Sequence, residues 1–363
     1  MYPVVLVGAG KIGSATAKFL ADSGDYDVLV IDQDAASLAR VASSAKVKTA
    51  VVDVMNESQL KPALQGKKSV LSAVGYGQNP SIAKAALELG LSYFDLTEDV
   101  ETTRITRALG EKAKAGQIFM PQCGLAPGFV SIAAHELALG FEKLHEVRLR
   151  VGALPVFPTN EMKYNLTWST EGLINEYGNP CEAIHEGELI EVLPLEGYET
   201  FSLDGVDYEA FNTSGGVGTL AETLTKKAET LNYKTIRYRG HRDLMKFLMF
   251  ELRLNEQRDV LKKIFENAIP MTPQDVVLIF CTVKGMKDGR FTEITDARKV
   301  YAGTFLGQRC SAIQMTTACA LCASLDLHRL GKLPSQGFVK QEQVRLDVFL
   351  SNRFGAAYDV VKK

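Results

Sequence analysis

A glycine-rich segment near the start of the chain constrains its fold more than any other feature. Gly8-Ala9-Gly10-Lys11-Ile12-Gly13 follows an aliphatic run at residues 4–7 and precedes a helical pattern at residues 14–22. In this setting Gly8 can make the tight turn, Gly10 lets a pyrophosphate approach the backbone, and Gly13 lets the helix pack on the strand. The free N–H groups at a helix N-terminus favour phosphate. The motif alone is weak evidence, but its place between strand and helix predicts a dinucleotide-binding loop.

Strand and helix patterns alternate throughout residues 1–122. Six strands and five helices are predicted in strict order, with the later strands near residues 26–31, 47–52, 69–74, 92–95 and 117–121. Regular alternation of this kind is typical of a parallel sheet covered by helices on both faces. The predicted fold class is therefore α/β, with a doubly wound Rossmann sheet as the first domain.

An acidic residue at the tip of the second predicted strand favours one nicotinamide cofactor over the other. Asp32 lies nineteen residues beyond Gly13, where a carboxylate accepts hydrogen bonds from the adenosine ribose hydroxyls and repels a 2′-phosphate. No Arg or Lys occurs between Asp32 and Arg40 to neutralise such a phosphate. The sequence therefore predicts NAD rather than NADP.

Two further loops contribute to the predicted cofactor site. Asp53 ends the third strand, where it could meet the adenine amino group or, equally well, cap the next helix. The loop at residues 73–77 ends the fourth strand at the ligand crevice of such sheets, although its glycines could also serve the turn alone. The predicted cofactor-binding residues are Gly8, Gly10, Lys11, Ile12, Gly13, Asp32, Asp53, Val54, Ala73, Val74, Gly124 and Leu125.

Beyond Pro121 the pattern changes at a glycine- and proline-rich loop, residues 122–129, which predicts a domain crossover. Mixed strands and helices follow, so we predict an α+β domain for substrate binding and oligomerisation at residues 123–310. Helical sequence returns at residues 311–328 and 344–354. We expect residues 311–363 to complete the first domain.

Net charge, the length of the apolar runs, the position of the glycine motif and the cysteine spacing each bear on the class of protein and its location. The net charge is 41 − 43 = −2, which provides no basic field for nucleic acid or anionic lipid. The longest apolar run, residues 276–283, is too short to cross a bilayer. A glycine motif within ten residues of Met1 leaves no room for a signal peptide, so a cytoplasmic location is expected. The spacing Cys319-x-x-Cys322 lacks the further ligands of a zinc site, and no metal is expected.

Four segments carry a resemblance to a known family. They are residues 8–13 with Asp32, residues 123–128, residues 168–177 and residues 233–241. Together they resemble the saccharopine dehydrogenase-like enzymes, and among these the lysine 6-dehydrogenases, which oxidise the ε-amine of lysine. The length of 363 residues is more similar to the lysine-oxidising branch, because saccharopine reductases of this family tend to be longer. The resemblance implies an NAD-dependent amino acid dehydrogenase that forms a homo-oligomer, with a dimer expected.

A row of polar side chains is the strongest candidate for substrate binding. In Tyr233-x-Thr235-x-Arg237 a period of two places all three side chains on one face of a strand. Arg can bind an α-carboxylate bidentately while the two hydroxyls complete its acceptor sites. The family resemblance implies a substrate-binding role for these three residues, and the alternative is an ordinary strand face with surface salt bridges.

The segment at residues 168–177 offers three more candidates. Trp168 could wall the aliphatic part of a substrate or belong to the core. Glu171 and Glu176 follow on a predicted helix, where they could attract an ammonium group or remain solvated.

The expected reaction is oxidation of the terminal amine of L-lysine to 2-aminoadipate 6-semialdehyde, which cyclises to piperideine-6-carboxylate. It requires a base, and the sequence does not single one out among Asp95, Glu171, His185 and His241. Two other functions stay open: a saccharopine reductase-type dehydrogenase that reduces an imine, and a non-catalytic NAD-binding sensor.

Overall fold

The computed structural model describes residues 1–360, which divide into two compact units. The first contains Met1–Phe129, Phe305–Gln308 and Gln314–Asp359. The second consists mainly of Val130–Thr304, with Arg309–Ile313. The first unit extends beyond the predicted boundary at residue 122 to Phe129, whose ring stacks on that of Tyr358 in the same unit at 3.9 Å between centroids.

The described part of the chain forms strands β1–β17 and α-helices α1–α12. The strands are β1 Tyr2–Val7, β2 Tyr26–Asp32, β3 Lys48–Val51, β4 Ser69–Ser72, β5 Ser92–Asp95, β6 Ile118–Met120, β7 Lys143–Pro155, β8 Cys181–His185, β9 Glu188–Val192, β10 Glu199–Leu203, β11 Val206–Asn212, β12 Ala228–Tyr238, β13 Asp275–Lys287, β14 Arg290–Tyr301, β15 Gly303–Phe305, β16 Gln308–Cys310 and β17 Gly337–Phe338. The helices are α1 Lys11–Asp22, α2 Ala35–Ser44, α3 Glu57–Leu64, α4 Asn79–Leu89, α5 Val100–Gly110, α6 Phe129–Ala138, α7 Thr170–Gly178, α8 Leu220–Leu224, α9 His241–Lys246, α10 Arg258–Ala268, α11 Ala312–Arg329 and α12 Leu346–Ser351.

The first unit contains a parallel sheet with the strand order β17-β6-β5-β4-β1-β2-β3. Its first six strands in the chain form the doubly wound Rossmann arrangement that the sequence predicts. The spatial order of the strands reverses at β1, because β2 and β3 continue on one side of it and β4 to β6 on the other, and such sheets bind ligands at this switch point. The apolar strand residues that favour this buried sheet, such as Val5, Val7 and Val70, form its core with Ile82 of α4.

A seventh strand extends this sheet, and the sequence does not predict it. Strand β17 pairs in parallel with β6 through Gly337 and Phe338 alone. Two residues are too short for a periodic strand pattern, and their partner lies more than two hundred residues earlier in the chain. Only the folded chain reveals this pairing.

The second unit is built on a mixed sheet with the order β10-β11-β12-β7-β13-β14, to which β8 and β9 are added through β12. Helices α7 and α10 contribute to an apolar cluster that includes Tyr164, Leu173, Tyr177, Phe211 and Phe265. The second, mainly antiparallel sheet confirms the α/β class with an additional α+β domain.

Among the helices of residues 1–360, none combines the length and the hydropathy needed to span a lipid bilayer.

Candidate functional site

The glycine motif forms a turn that only glycine can occupy at two of its positions. Gly8 has φ +102°, and a Cβ atom there would lie 2.7 Å from the carbonyl oxygen of Ala73. At Gly13 a Cβ atom would lie only 2.0 Å from the carbonyl oxygen of Gly8. These two glycines therefore let α1 and the end of β4 approach the turn after β1.

The third glycine leaves space for a ligand instead. A Cβ atom at Gly10 would meet no heavy atom of the described chain within 4 Å. Gly10 precedes α1, and no side chain caps this helix within residues 1–360. Its first turn, which begins with Lys11 and Ile12, contains no acidic residue. An uncapped helix N-terminus beside open space fits the pyrophosphate of a dinucleotide.

The backbone holds the Asp32 carboxylate at the end of β2. Oδ2 accepts a hydrogen bond from the Ala9 N–H at 2.7 Å, and Oδ1 accepts one from the Asp34 N–H at 2.9 Å. Arg40, the first cation downstream, donates to Ser37 Oγ at 2.7 Å. The remaining lone pairs of the carboxylate can accept protons from vicinal ribose hydroxyls.

The other predicted cofactor residues lie at the ends of β3, β4 and β6. Asp53 is exposed and its Oδ1 accepts the Met55 N–H at 2.9 Å, so it caps the turn before α3. Val54 is buried, whereas Ala73 and Val74 are half-buried beside Gly8. After β6, Gly124 packs closely against Pro127, because an added Cβ would lie 3.2 Å from the Pro127 carbonyl oxygen. Leu125 is buried.

The candidate base Asp95 is wholly buried at the end of β5. One carboxylate oxygen accepts the backbone N–H groups of Thr97 at 2.9 Å and Gln122 at 3.0 Å, and the other accepts the Tyr93 hydroxyl at 2.8 Å. Burial raises the pKa of Asp95 to about 6, although these hydrogen bonds lower it. With its oxygens thus engaged, Asp95 holds the loop that follows β6 rather than facing solvent.

We expect Asp95 to make stability depend on pH. Its pKa in the folded chain lies above the ordinary 3.8, so its contribution to stability is complete below 3.8 and is lost as the pH rises through about 6. Replacement by the neutral amide in Asp95→Asn removes this loss. The difference between the two free energies of unfolding, Asp95→Asn minus the unmodified protein, should increase by about 2 to 3 kcal/mol from about pH 4 to about pH 7. Urea denaturation of both proteins at each pH measures the difference, and a constant difference would contradict the expectation.

In the second unit, the row predicted on one strand is buried. Tyr233, Thr235 and Arg237 all lie on β12 with their side chains nearly inaccessible, and Arg237 is only 3% exposed. Gly216 packs against the ring of Tyr233, since an added Cβ would lie 2.2 Å from Cε1. A surface strand with salt bridges, the alternative considered from the sequence, does not describe this arrangement.

Among residues 1–360 no carboxylate contacts the Arg237 guanidinium directly, although the charge of the buried Glu176 acts on it from a greater distance. Its Nε donates to the Tyr177 hydroxyl at 2.8 Å and its Nη1 to the Ile236 carbonyl at 2.8 Å. Among residues 1–360 two other arginines are buried, and both are paired: Arg150 with Glu199 and Arg298 with Asp296. Because no described carboxylate contacts this buried cation directly, the site favours an anionic ligand that would do so.

Two buried hydroxyls close to this row make no hydrogen bond of ordinary geometry in the described part of the chain, although each is near enough to a tyrosine hydroxyl to interact with it. Thr213, 2% exposed, follows the last residue of β11 and lies beside Tyr233 of the adjacent β12. Thr167, 4% exposed, lies close to Tyr164. Buried polar groups are normally satisfied, which makes these hydroxyls suited to a polar ligand. Sequence reasoning missed Tyr164 and Thr213, because only packing and strand pairing bring Tyr164 to Arg237 and Thr213 to Tyr233.

The structure separates the remaining candidates. Glu176 is buried near this row. Burial is the main cause that raises the pKa of Tyr233, and the charge of Glu176 raises it further. Trp168 is half-buried against the apolar cluster that contains Tyr164 and Tyr177. Glu171, by contrast, is exposed with Lys262 at 3.6 Å, and His185 is exposed at the end of β8. His241 is buried and contacts Tyr177.

Two family models match the chain in succession. Residues 4–120 match the saccharopine dehydrogenase NADP binding domain, and residues 124–351 match the saccharopine dehydrogenase C-terminal domain.

Curated relatives agree with these matches over part of their length. The NADP(+)-dependent, L-glutamate-forming saccharopine dehydrogenase of Saccharomyces cerevisiae is 26% identical over 262 residues, which cover 68% of this chain and 57% of the yeast enzyme. The mitochondrial alpha-aminoadipic semialdehyde synthase of Rattus norvegicus is 20% identical over 265 residues, covering 66% of this chain and 27% of the rat protein. The chain thus spans little more than half of the yeast relative and about a quarter of the rat one.

Solved structures show the same fold. The apo L-Glu-forming saccharopine dehydrogenase from Saccharomyces cerevisiae superposes with a TM-score of 0.78 at 17% identity, covering 98% of this chain and 96% of that one. The homospermidine synthase from Legionella pneumophila, solved in complex with NAD, gives 0.71 at 14% identity, with 98% and 89% covered.

Proposed function

The chain belongs to the saccharopine dehydrogenase family, and on this premise we propose that it is an NAD-dependent dehydrogenase that oxidises the terminal amine of L-lysine. One observation carries the proposal. Among residues 1–360 no carboxylate contacts the buried Arg237 cation directly, and Arg237 lies at the end of a row whose hydroxyls can donate to the same ligand. An α-carboxylate matches the planar guanidinium and would supply a direct ion pair.

The charges near Arg237 favour an amino acid that carries one carboxylate. The other two buried arginines of residues 1–360 form direct ion pairs with carboxylates, whereas Arg237 does not. Glu176 is buried near the same row and can attract an ammonium group. Burial raises the pKa of Tyr233, which keeps its hydroxyl protonated and able to donate. L-Lysine meets these requirements with a carboxylate and an α-ammonium group on one carbon.

Residues of the first unit fit a nicotinamide dinucleotide. The open space at Gly10 and the uncapped N-terminus of α1 would hold the pyrophosphate, and Asp32 would accept the ribose hydroxyls. When bound, the oxidised nicotinamide supplies a hydride acceptor.

In the proposed reaction the substrate loses one hydride and exchanges its terminal amine for an oxygen from water. The carbon that carries the amine, in its neutral form after loss of a proton, gives up the hydride, and an iminium forms. Water then adds to the iminium, the C–N bond breaks, and ammonium leaves with the semialdehyde as the other product. Condensation of the semialdehyde with the remaining α-amine releases one water and closes the ring of piperideine-6-carboxylate.

The named relatives favour a second candidate, a saccharopine reductase-type enzyme that joins glutamate to aminoadipate semialdehyde and reduces the imine. Its product carries additional carboxylates, which would require further cations. The experiment is therefore a panel assay: NADH formation with lysine, ornithine, cadaverine and saccharopine, and NADH or NADPH consumption with glutamate plus the semialdehyde. Lysine as the best substrate supports the proposal, and turnover of saccharopine alone overturns it. Turnover of any of these amines excludes a non-catalytic NAD-binding sensor.

We also propose that NAD is preferred over NADP, although the matching family model is named for NADP. The Asp32 carboxylate would repel a 2′-phosphate, and Arg40 is engaged by Ser37. The dissociation constant for NAD should be at least about tenfold lower than that for NADP, because like charges in contact cost several kcal/mol. In equilibrium titrations with each dinucleotide, Asp32→Ala and the isosteric Asp32→Asn should both reduce the difference between the dissociation constants for NAD and NADP. Equal or tighter binding of NADP by the unmodified protein would show that this role of Asp32 is wrong.

A further inference from the structure

The orientation of the Arg237 guanidinium is determined on three sides. The rings of Tyr164 and Tyr177 lie 5.1 Å and 5.7 Å from its Cζ atom. The Tyr177 hydroxyl and the Ile236 carbonyl accept protons from Nε and Nη1. In the described chain Nη2 donates to no partner. These neighbours hold the guanidinium in place. Its Nη1–Nη2 edge is the one that can bind a carboxylate end-on.

The direction of each hydrogen bond in this contact can be assigned. Arginine only donates, so the Tyr177 oxygen accepts from Nε and must place its own proton elsewhere. His241 Nε2 lies 3.2 Å from that oxygen, and His241 Nδ1 lies 2.9 Å from the Met162 carbonyl oxygen. A carbonyl only accepts, so the imidazole proton is on Nδ1 and Nε2 accepts from Tyr177.

The surroundings of His241 keep it in this form. The residue is 1% exposed and is faced by Tyr164, Tyr177, Phe211 and the Arg237 cation. Burial, and then the charge of Arg237, lower the pKa of His241 to about 3. A neutral imidazole with a defined tautomer is suited to orienting a hydroxyl.

We propose that Tyr177 and His241 are positioning residues, whose ordered hydrogen bonds from Arg237 to the Met162 carbonyl hold the guanidinium edge ready for a substrate carboxylate. Besides β12, which carries Arg237, three segments supply these hydrogen bonds: α7 with Tyr177, the start of α9 with His241, and the stretch before Tyr164 with Met162. The inference depends on the proposed function at one point, the binding of a carboxylate by Arg237.

Steady-state kinetics on L-lysine, which carries a carboxylate, and on cadaverine, which lacks one, test this role. Tyr177→Phe keeps the ring but removes the acceptor of Nε, and should raise KM for L-lysine about tenfold. The value of kcat for lysine and the KM for cadaverine should stay within about twofold. His241→Leu should raise KM for lysine in the same sense, while His241→Gln, which retains an acceptor, should restore most of the loss. Tyr208→Phe is the matched control, because Tyr208 is buried in another part of the unit against Phe201 and Tyr238.

The outcomes distinguish this inference from the proposed function. An unchanged KM for lysine in a folded Tyr177→Phe variant, or an equal rise for cadaverine, overturns the inference. Imidazole ¹⁵N NMR provides a second measurement that needs no turnover. Of the five histidine signals, the one lost in His241→Gln should show a neutral, Nδ1-protonated ring from about pH 8 to about pH 5, and Tyr177→Phe should shift its Nε2 resonance. A protonated Nε2 overturns the inference even if lysine is oxidised, whereas absence of lysine oxidation overturns only the proposed function.

Discussion

Arg237→Ala is expected to reduce kcat/KM for L-lysine by about 30-fold to 1000-fold. The unmodified side chain is a buried cation that no carboxylate of residues 1–360 contacts directly, so a substrate carboxylate would form a charge-assisted contact in a desolvated site. Loss of such a contact costs on the order of 2 to 4 kcal/mol, which corresponds to this range of rates. Cadaverine lacks the carboxylate, and its kcat/KM should fall much less. Steady-state assays of both proteins on both substrates measure the comparison.

A neighbouring arginine provides the control for this variant. Arg239 lies one residue beyond β12 and is exposed, with its only described salt bridge to Asp207 at 3.7 Å. Exposed pairs contribute little, so Arg239→Ala should leave both substrates nearly unaffected. If Arg237→Ala loses lysine and cadaverine turnover equally, Arg237 supports the fold rather than the substrate. If it loses neither, the carboxylate binds elsewhere, and Tyr233 and Thr235 lose their proposed role as well.

Gly13→Ala is expected to destabilise the first unit severely, whereas Gly10→Ala should leave it folded but impair dinucleotide binding. The Cβ of alanine at residue 13 would lie 2.0 Å from a backbone oxygen of Gly8, and backbone atoms on both sides would have to move. We expect a loss of at least about 3 kcal/mol, or roughly 6 to 12 °C in Tm. At residue 10, φ is −72° and the space is open, so alanine causes no clash. Its methyl group would instead occupy the approach of the pyrophosphate and raise the Kd for NAD at least about tenfold.

Thermal unfolding without cofactor and titration with NAD separate these two effects. The pair is matched, because both variants add one methyl group to the same turn. Normal NAD binding by Gly10→Ala would contradict the placement of the pyrophosphate at α1. A Gly13→Ala protein with an unchanged Tm would contradict the close approach of α1 to the turn after β1.

The fold of the first unit could be predicted because its signals are local. The glycine motif, the strand and helix periods and the acidic tip of β2 lie within short segments, and each agrees with the others. Strand β17 could not be predicted, since its two residues join the sheet only through a distant partner.

For the substrate-binding row, too, the sequence predicted what local patterns determine but not what distant packing determines. A period of two predicted that Tyr233, Thr235 and Arg237 share a face, and β12 places them so. The sequence did not distinguish Glu171 from Glu176, which are five residues apart on α7 and so point about 140° apart around the helix. Packing of α7 against the apolar cluster decides that Glu176 is buried and Glu171 exposed.

The sequence by itself therefore determined the fold class, the dinucleotide loop and the composition of the Tyr-x-Thr-x-Arg row, because these follow from short-range periodicity and turn chemistry. Only the tertiary structure decided which charges are buried and which are paired. Arg150 and Arg237 are both buried arginines on strands, but Glu199 meets the first while Tyr177 and a backbone carbonyl meet the second. For Arg150 and Arg237 the partner side chain comes from a distant segment of the chain, and its identity determines whether the charge supports the fold or is available to a ligand.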